Sequence, residues 1–235
     1  MRLYIIRHGD PDYEADTITE DGHKEAQALA ERLAHECITR IYSSPLGRAI
    51  ATMKYTADLL GLPYNIEHWT KELWPELALK GTPWGDIMAI NIPGEHIRIE
   101  GEYPTYENWH LSSVLKEYEV RGVYEELKKN SDRFIARHGY EREGGRYRCV
   151  NPNEEKIAVF CHAGFGLTWL AHLLEIPVTL MWSGFWLPTT SVTTLLFDQR
   201  SEEWAVPRCL GVGDVSHLYK AGLPVKPRGI VTNYY

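Results

Sequence analysis

Three short strand-like runs, each ended by polar residues and each followed by a helical pattern, constrain this chain more than any other feature. Leu3–Ile6 stops at Arg7, His8 and Gly9. Arg40–Ser43 leads into SSPLGRAIATM, and Ile157–Cys161 leads into HAGFG. Apolar runs this short, without polar alternation, read as strands buried on both faces. Strand, helix and strand at such close intervals imply an α/β fold, a mostly parallel central sheet with helices on both faces in three layers. In such sheets ligands bind beyond the carboxyl ends of the strands. All three runs place polar residues there.

The helices carry their own signals. Thr19 is suited to cap a first helix, whose apolar face is Ala26, Leu29, Ala30, Leu33, Ala34 and Cys37. Ser44 reads as the cap of a second helix, with Pro45 at its first position and Gly61 at its end. YNIEHW is a further strand candidate, and Gly164–Glu175 a third helix. TTSVTTLLFD and Trp204–Leu210 read as two later strands.

Between about residues 81 and 150 the pattern changes. Aromatics, glycines and prolines crowd GTPWGD and EGEYPTYENW, and a charged helical stretch runs from about Thr105 to Arg137. This reads as a helical cap inserted into a single domain spanning residues 1–235. The tail after Gly222, with its two prolines, reads as irregular chain on the surface.

Composition narrows the class. The chain has 235 residues, 44% hydrophobic and 24% charged, with a net charge of −7. That charge argues against a nucleic-acid or anionic-membrane surface. No apolar run approaches the roughly 20 residues that span a bilayer. The start lacks a signal-peptide pattern, so the cytoplasm is the expected location. Cys37, Cys149, Cys161 and Cys209 show neither zinc nor disulfide spacing and read as free thiols. No pattern calls for a metal or cofactor, and none specifies an oligomeric state.

The polar strand ends combine into one chemistry. Arg7 and His8 close the first strand, Arg48 lies in the first turn of the second helix, and His162 closes the Ile157–Cys161 strand. Arginine presents a planar fork of donors that matches phosphate oxygens, and a helix N-terminus adds N–H groups. A neutral imidazole held through its other nitrogen can attack phosphorus, and a carbonyl at the Gly9 turn could hold it. The leaving oxygen needs a proton, for which TKELWPE offers Glu72 or Glu76, with Glu72 nearer the strand end. Other catalytic patterns fail. Counting a Cys-x5-Arg loop from Cys161 reaches Leu167, no Gly-x-Ser-x-Gly is present, and GFGLTW lacks the third glycine of a dinucleotide loop.

These residues carry a family resemblance. RHG after the first strand, TEDGHKEAQALAERL, SSPLGRAIATM, TKEL, VFCHAGFG, TTSVTTL and GVGDVSHL, in that order, resemble the histidine phosphatase superfamily, the phosphoglycerate-mutase-like fold. The resemblance implies that His8 is the nucleophile, that Arg7, Arg48 and His162 hold the phosphoryl oxygens, and that Glu72 is the proton donor. It also implies a place near the pocket for Ser191 and a reaction without metal. The expected activity is hydrolysis of a small phosphorylated metabolite through a phosphohistidine. A phosphomutase and a non-catalytic phospho-ligand binder are the alternatives. Asp10, Pro11 and Asp12 depart from the family's usual Glu-Thr or Gln-Thr after RHG. A free carboxylate there would repel a highly charged substrate, or bond a hydroxyl or amine.

Overall fold

Arg2–Arg7 lies in the middle of the sheet because both of its faces are apolar. Leu3 and Ile5 face one cluster with Phe165 and Trp169, while Tyr4 and Ile6 face another with Leu29, Leu33 and Met53. Alternate residues of a strand point to opposite faces, so one strand serves two cores. Each fully buried side chain of this size contributes about 1.5–3 kcal/mol. The computed structural model of the chain describes residues 1–230.

The main sheet has eight strands, in the order Tyr64–Ile66, Arg40–Ser43, Lys156–Cys161, Arg2–Arg7, Val192–Gln199, Trp204–Asp214, Arg146–Cys149 and Tyr140–Glu143. The first four are parallel to one another. The later junctions are antiparallel. Only Val192–Gln199 and Arg146–Cys149 therefore run against the rest, and the sheet is mixed but mostly parallel. Helices Glu20–Ala34 and Gly47–Leu60 supply the Leu29, Leu33 and Met53 layer. Helices Val120–Arg137 and Ala163–Leu174 supply the opposite one.

The helix ends follow from the sequence. Thr19 caps the first helix by accepting the Gly22 N–H at 3.1 Å. Gly61 ends the second in the left-handed region, at φ 62°. Two expectations change. The second helix begins at Gly47 with Leu46 as its cap, and the Ser44 hydroxyl accepts the Leu46 N–H at 3.3 Å while bonding His162. Of the Thr105–Arg137 stretch, only Val120–Arg137 is α-helical, and Glu119 caps it through the Gly122 N–H.

The stretch 81–150 is also not a helical cap throughout. Its last part, Tyr140–Glu143 and Arg146–Cys149, forms a hairpin that extends the main sheet. Tyr140 and Tyr147 are buried, but the neighbouring arginines and glutamates hide the strand pattern. Helix Val120–Arg137 packs Leu127, Phe134 and Ile135 into the main core. Before it, Ala78–Thr82 and Gly85–Met88 pair as a separate hairpin.

Candidate active site

Register brings the polar strand ends together. Arg7 pairs with Cys161, and Phe160 pairs with Ser43, so three parallel strands stop at one level. Backbone bonds then fix the turns. The His8 N–H donates to the Cys161 carbonyl at 3.0 Å, and the Ser44 N–H to that of Phe160 at 2.8 Å. The Thr190 N–H donates to the His8 carbonyl at 3.1 Å. His8 and His162 consequently lie with ring centroids 5.1 Å apart.

His8 is buried, and its Nδ1 lies 2.7 Å from the Gly9 carbonyl. A carbonyl only accepts, so Nδ1 carries the proton and Nε2 keeps its lone pair. Burial, followed by the charge of Arg7, holds the imidazole well below its ordinary pKa. It is therefore neutral near pH 7. His162 is held low by burial and then by His8, Arg48 and Arg7. Its Nε2 shares a hydrogen bond of 2.7 Å with the Ser44 hydroxyl.

The two arginines approach from different elements. Arg7 is buried and donates through Nη1 to the carbonyls of Leu187, at 2.6 Å, and Arg228, at 3.0 Å. Arg48 donates to Asp16 at 2.7 Å and lies over the Tyr13 ring. Asp16 also accepts the Gly47 N–H, and a Cβ at Gly47 would stand 2.0 Å from the Asp16 carbonyl oxygen. Only glycine allows this approach, which sets the start of the helix that carries Arg48. The Nε atoms of Arg7 and Arg48, Nδ1 of His162 and Oγ of Ser191 are buried without a hydrogen-bond partner among the described residues. Each such atom costs about 1–3 kcal/mol. Orphaned guanidinium donors around a neutral imidazole fit a phosphoryl group.

Glu72 and Glu76 separate clearly. The Glu72 carboxylate accepts the N–H groups of Gly164 at 3.2 Å, Phe165 at 2.8 Å and Leu73 at 3.0 Å. It therefore sits on the N-terminus of the helix that His162 caps. Glu76 instead pairs with Lys71 at 2.7 Å. Gly164 is what lets Glu72 approach. A Cβ there would stand 2.7 Å from Glu72 Oε1 and 2.8 Å from the Met88 methyl. Both are ends of flexible side chains, so Gly164→Ala should displace the carboxylate yet leave the helix intact. We expect turnover to fall about 10–100-fold, in keeping with loss of a positioned acid, with little change in Tm. Steady-state kinetics alongside calorimetry checks this.

Several contacts have no counterpart in the sequence reading. Ser44 was legible only as a cap, yet it holds His162. Its position one residue past a strand in register with Lys156–Cys161 is the signal that points there. The Thr52 hydroxyl accepts the Gly9 N–H at 2.9 Å and donates to the Arg48 carbonyl at 2.8 Å, tying the turn after His8 to the helix that carries Arg48. His217 bonds the Thr190 hydroxyl at 3.1 Å behind the His8 turn. Burial lowers this imidazole to about 4, so it too is neutral there.

Asp10 and the tail depart furthest from expectation. Asp10 is 1% exposed and is not free to meet a substrate. It accepts from Thr19 at 2.9 Å, Lys226 at 3.0 Å and Arg228 Nε at 2.6 Å. The tail segment 223–230 is irregular, but its cations strap it to the first turn, beside Arg7. The rest of the tail, residues 231–235, lies outside the described residues.

Burial pushes the Asp10 carboxyl up, but hydrogen bonds from Arg228, Lys226 and Thr19 outweigh it and hold the group below its usual 3.8. The strap is thus fully held above that value and loosens only as pH falls through the lowered one. Asp10→Asn removes the charge at every pH. We expect trypsin to cut after Arg228 about tenfold faster in that variant near pH 7, consistent with loss of a buried carboxylate partner. Mass spectrometry of the time course reads it.

Residues 3–84 match the model of the histidine phosphatase superfamily, branch 1. A probable phosphoglycerate mutase of Photorhabdus laumondii is 28% identical over 115 aligned residues, covering 37% of this chain and 54% of that protein. One from Yersinia pestis is 33% identical over 82 residues, covering 31% and 38%. The match to these curated relatives thus spans about half of their length or less.

Among solved structures, phosphoserine phosphatase of Entamoeba histolytica, bound to phosphoserine, aligns over 92% of this chain and 98% of that one. Its TM-score is 0.59, with 20% identity. A mycobacterial glucosyl-3-phosphoglycerate phosphatase with inorganic phosphate gives 0.57 at 20% identity, with the same coverage. These structures share the fold. The segment matched by the family model holds Arg7, His8, Arg48 and Glu72, and over that segment the chain is similar to the histidine phosphatase superfamily.

Proposed function

We propose that the protein hydrolyses small phosphomonoesters through a phosphohistidine on His8. The observation that carries this reading is the Nδ1–Gly9 hydrogen bond, which leaves a lone pair on Nε2 of a buried, neutral imidazole. Nε2 attacks phosphorus as the P–O bond to the alcohol breaks. Glu72, as the acid, gives a proton to the departing oxygen. In the second half, the Glu72 carboxylate takes a proton from water. The water oxygen attacks phosphorus, the N–P bond breaks, and the electron pair returns to Nε2. Arg7, Arg48 and His162 hold the non-bridging oxygens and offset their charge.

Incubation with a phosphate-labelled aryl ester, quenched in alkali, tests this. Acid-labile label on His8 with release of inorganic phosphate is expected. An unlabelled protein would overturn the reading. The curated relatives favour a second one, a phosphomutase. Incubation with 3-phosphoglycerate and a bisphosphate primer separates the two. Isomer exchange without phosphate release supports the mutase.

A further inference from the structure

Besides the phosphate site, the molecule carries an apolar cavity of about 680 Å³. Trp84, Ile87, Ile90, Trp182, Phe185 and Trp186 are among the residues of its wall. Asn91 and Ser183 are its polar side chains, and no ionisable side chain lines it among the described residues. Arg98 reaches the outer rim, where it donates to the Ser183 hydroxyl at 2.6 Å. His96 stacks on Trp84 with centroids 4.8 Å apart.

The cavity adjoins the phosphate site on two sides. On one side, Trp186 donates through its indole N–H to the Arg228 carbonyl at 3.1 Å. That carbonyl also accepts from Arg7, as does the carbonyl of Leu187, the residue after Trp186. On the other side, Met88 lies between the cavity residues Ile87 and Ile90 in sequence. Its methyl meets the same point above Gly164 as the Glu72 carboxylate. The cavity thus borders both a phosphate arm and the acid. The alcohol of a phosphomonoester must project from phosphorus past the group that protonates its oxygen.

We propose that this cavity binds the leaving group, and that the substrate is a phosphomonoester of a bulky, uncharged, largely apolar alcohol, aromatic or branched. The inference rests on the phosphatase reading above. A wall of tryptophan and isoleucine gains from burying such a group and holds no charged side chain of its own for a carboxylate or second phosphate; Arg98 stands only at the rim, bonded to Ser183. Burial of a phenyl-sized group is worth about a hundredfold in affinity.

The test compares alkyl phosphates, so that leaving-group acidity stays similar: 2-phenylethyl phosphate against 3-phosphoglycerate and phosphoserine. We expect kcat/KM to favour 2-phenylethyl phosphate by about a hundredfold. In Ile90→Asp, which puts a carboxylate into the cavity, this preference, read as the ratio of kcat/KM values within that variant, should shrink at least tenfold. Equal or better hydrolysis of the two charged esters would overturn the inference and leave the phosphatase reading intact. If no ester is hydrolysed, the phosphatase reading falls, and binding decides the cavity. Quenching of tryptophan fluorescence by 2-phenylethyl phosphate at concentrations at least tenfold below those needed for 3-phosphoglycerate supports it. Quenching by neither, or by both alike, overturns it.

Discussion

His8→Ala should lower kcat/KM for an alkyl phosphate by at least about 10⁴-fold, since it removes the nucleophile while the guanidinium donors stay in place. Release of inorganic phosphate measures the loss, and activity within tenfold of the wild type would sink the proposal. The fold should survive. The imidazole side chain makes one backbone hydrogen bond, to Gly9, whose loss costs about 1 kcal/mol. The strand pairing around it does not involve the ring. The pH profile offers a second check. Burial and Arg7 hold His8 well below 6.5, so the imidazole is neutral across the range in which a free histidine titrates. As pH falls, the rate should drop only below that range. A limb near 6.5 that disappears in no substrate series would contradict a neutral, buried nucleophile.

Glu72→Gln should cost about 10²–10⁴-fold with alkyl phosphates, the range of general acid catalysis. With 4-nitrophenyl phosphate the loss should be under tenfold in the first half-reaction, because nitrophenolate leaves without a proton. The amide oxygen of glutamine can keep the Phe165 and Leu73 N–H bonds, which share Oε1, while the Gly164 N–H, bonded to Oε2, loses its acceptor. Glu76→Gln is the internal control. It removes only a surface contact with Lys71, worth about 0–1 kcal/mol, and should leave turnover unchanged. Burst kinetics with the two leaving groups reads both halves. A Glu76 variant that loses activity while the Glu72 variant keeps it would reverse the assignment.

The chain's local signals account for much of the fold and for the members of the site. Short apolar runs ending in Arg7-His8, Ser43-Ser44 and Cys161-His162 can pack only as buried strands, and Thr19 and Gly61 punctuate the helices for reasons internal to a few residues. Strand ends of one parallel sheet lie at one edge, so the same runs name Arg7, His8, Arg48 and His162. The hairpin of Tyr140–Cys149 escaped because only Tyr140 and Tyr147 carry its apolar signal. Its charged neighbours face solvent and resemble the helix before it.

What tertiary structure decided is how these groups are satisfied. Ser44 serves His162 as well as the Leu46 N–H before its own helix, because register sets it opposite. Glu72 rather than Glu76 meets the Ala163–Leu174 helix because Gly164 leaves room for a carboxylate, and nothing near residue 72 in sequence records that space. Asp10 is neutralised by Lys226 and Arg228 from more than two hundred residues away. Local chemistry determined which residues could act. Long-range packing, which depends on the whole chain, determined which donors and charges remain free to do so.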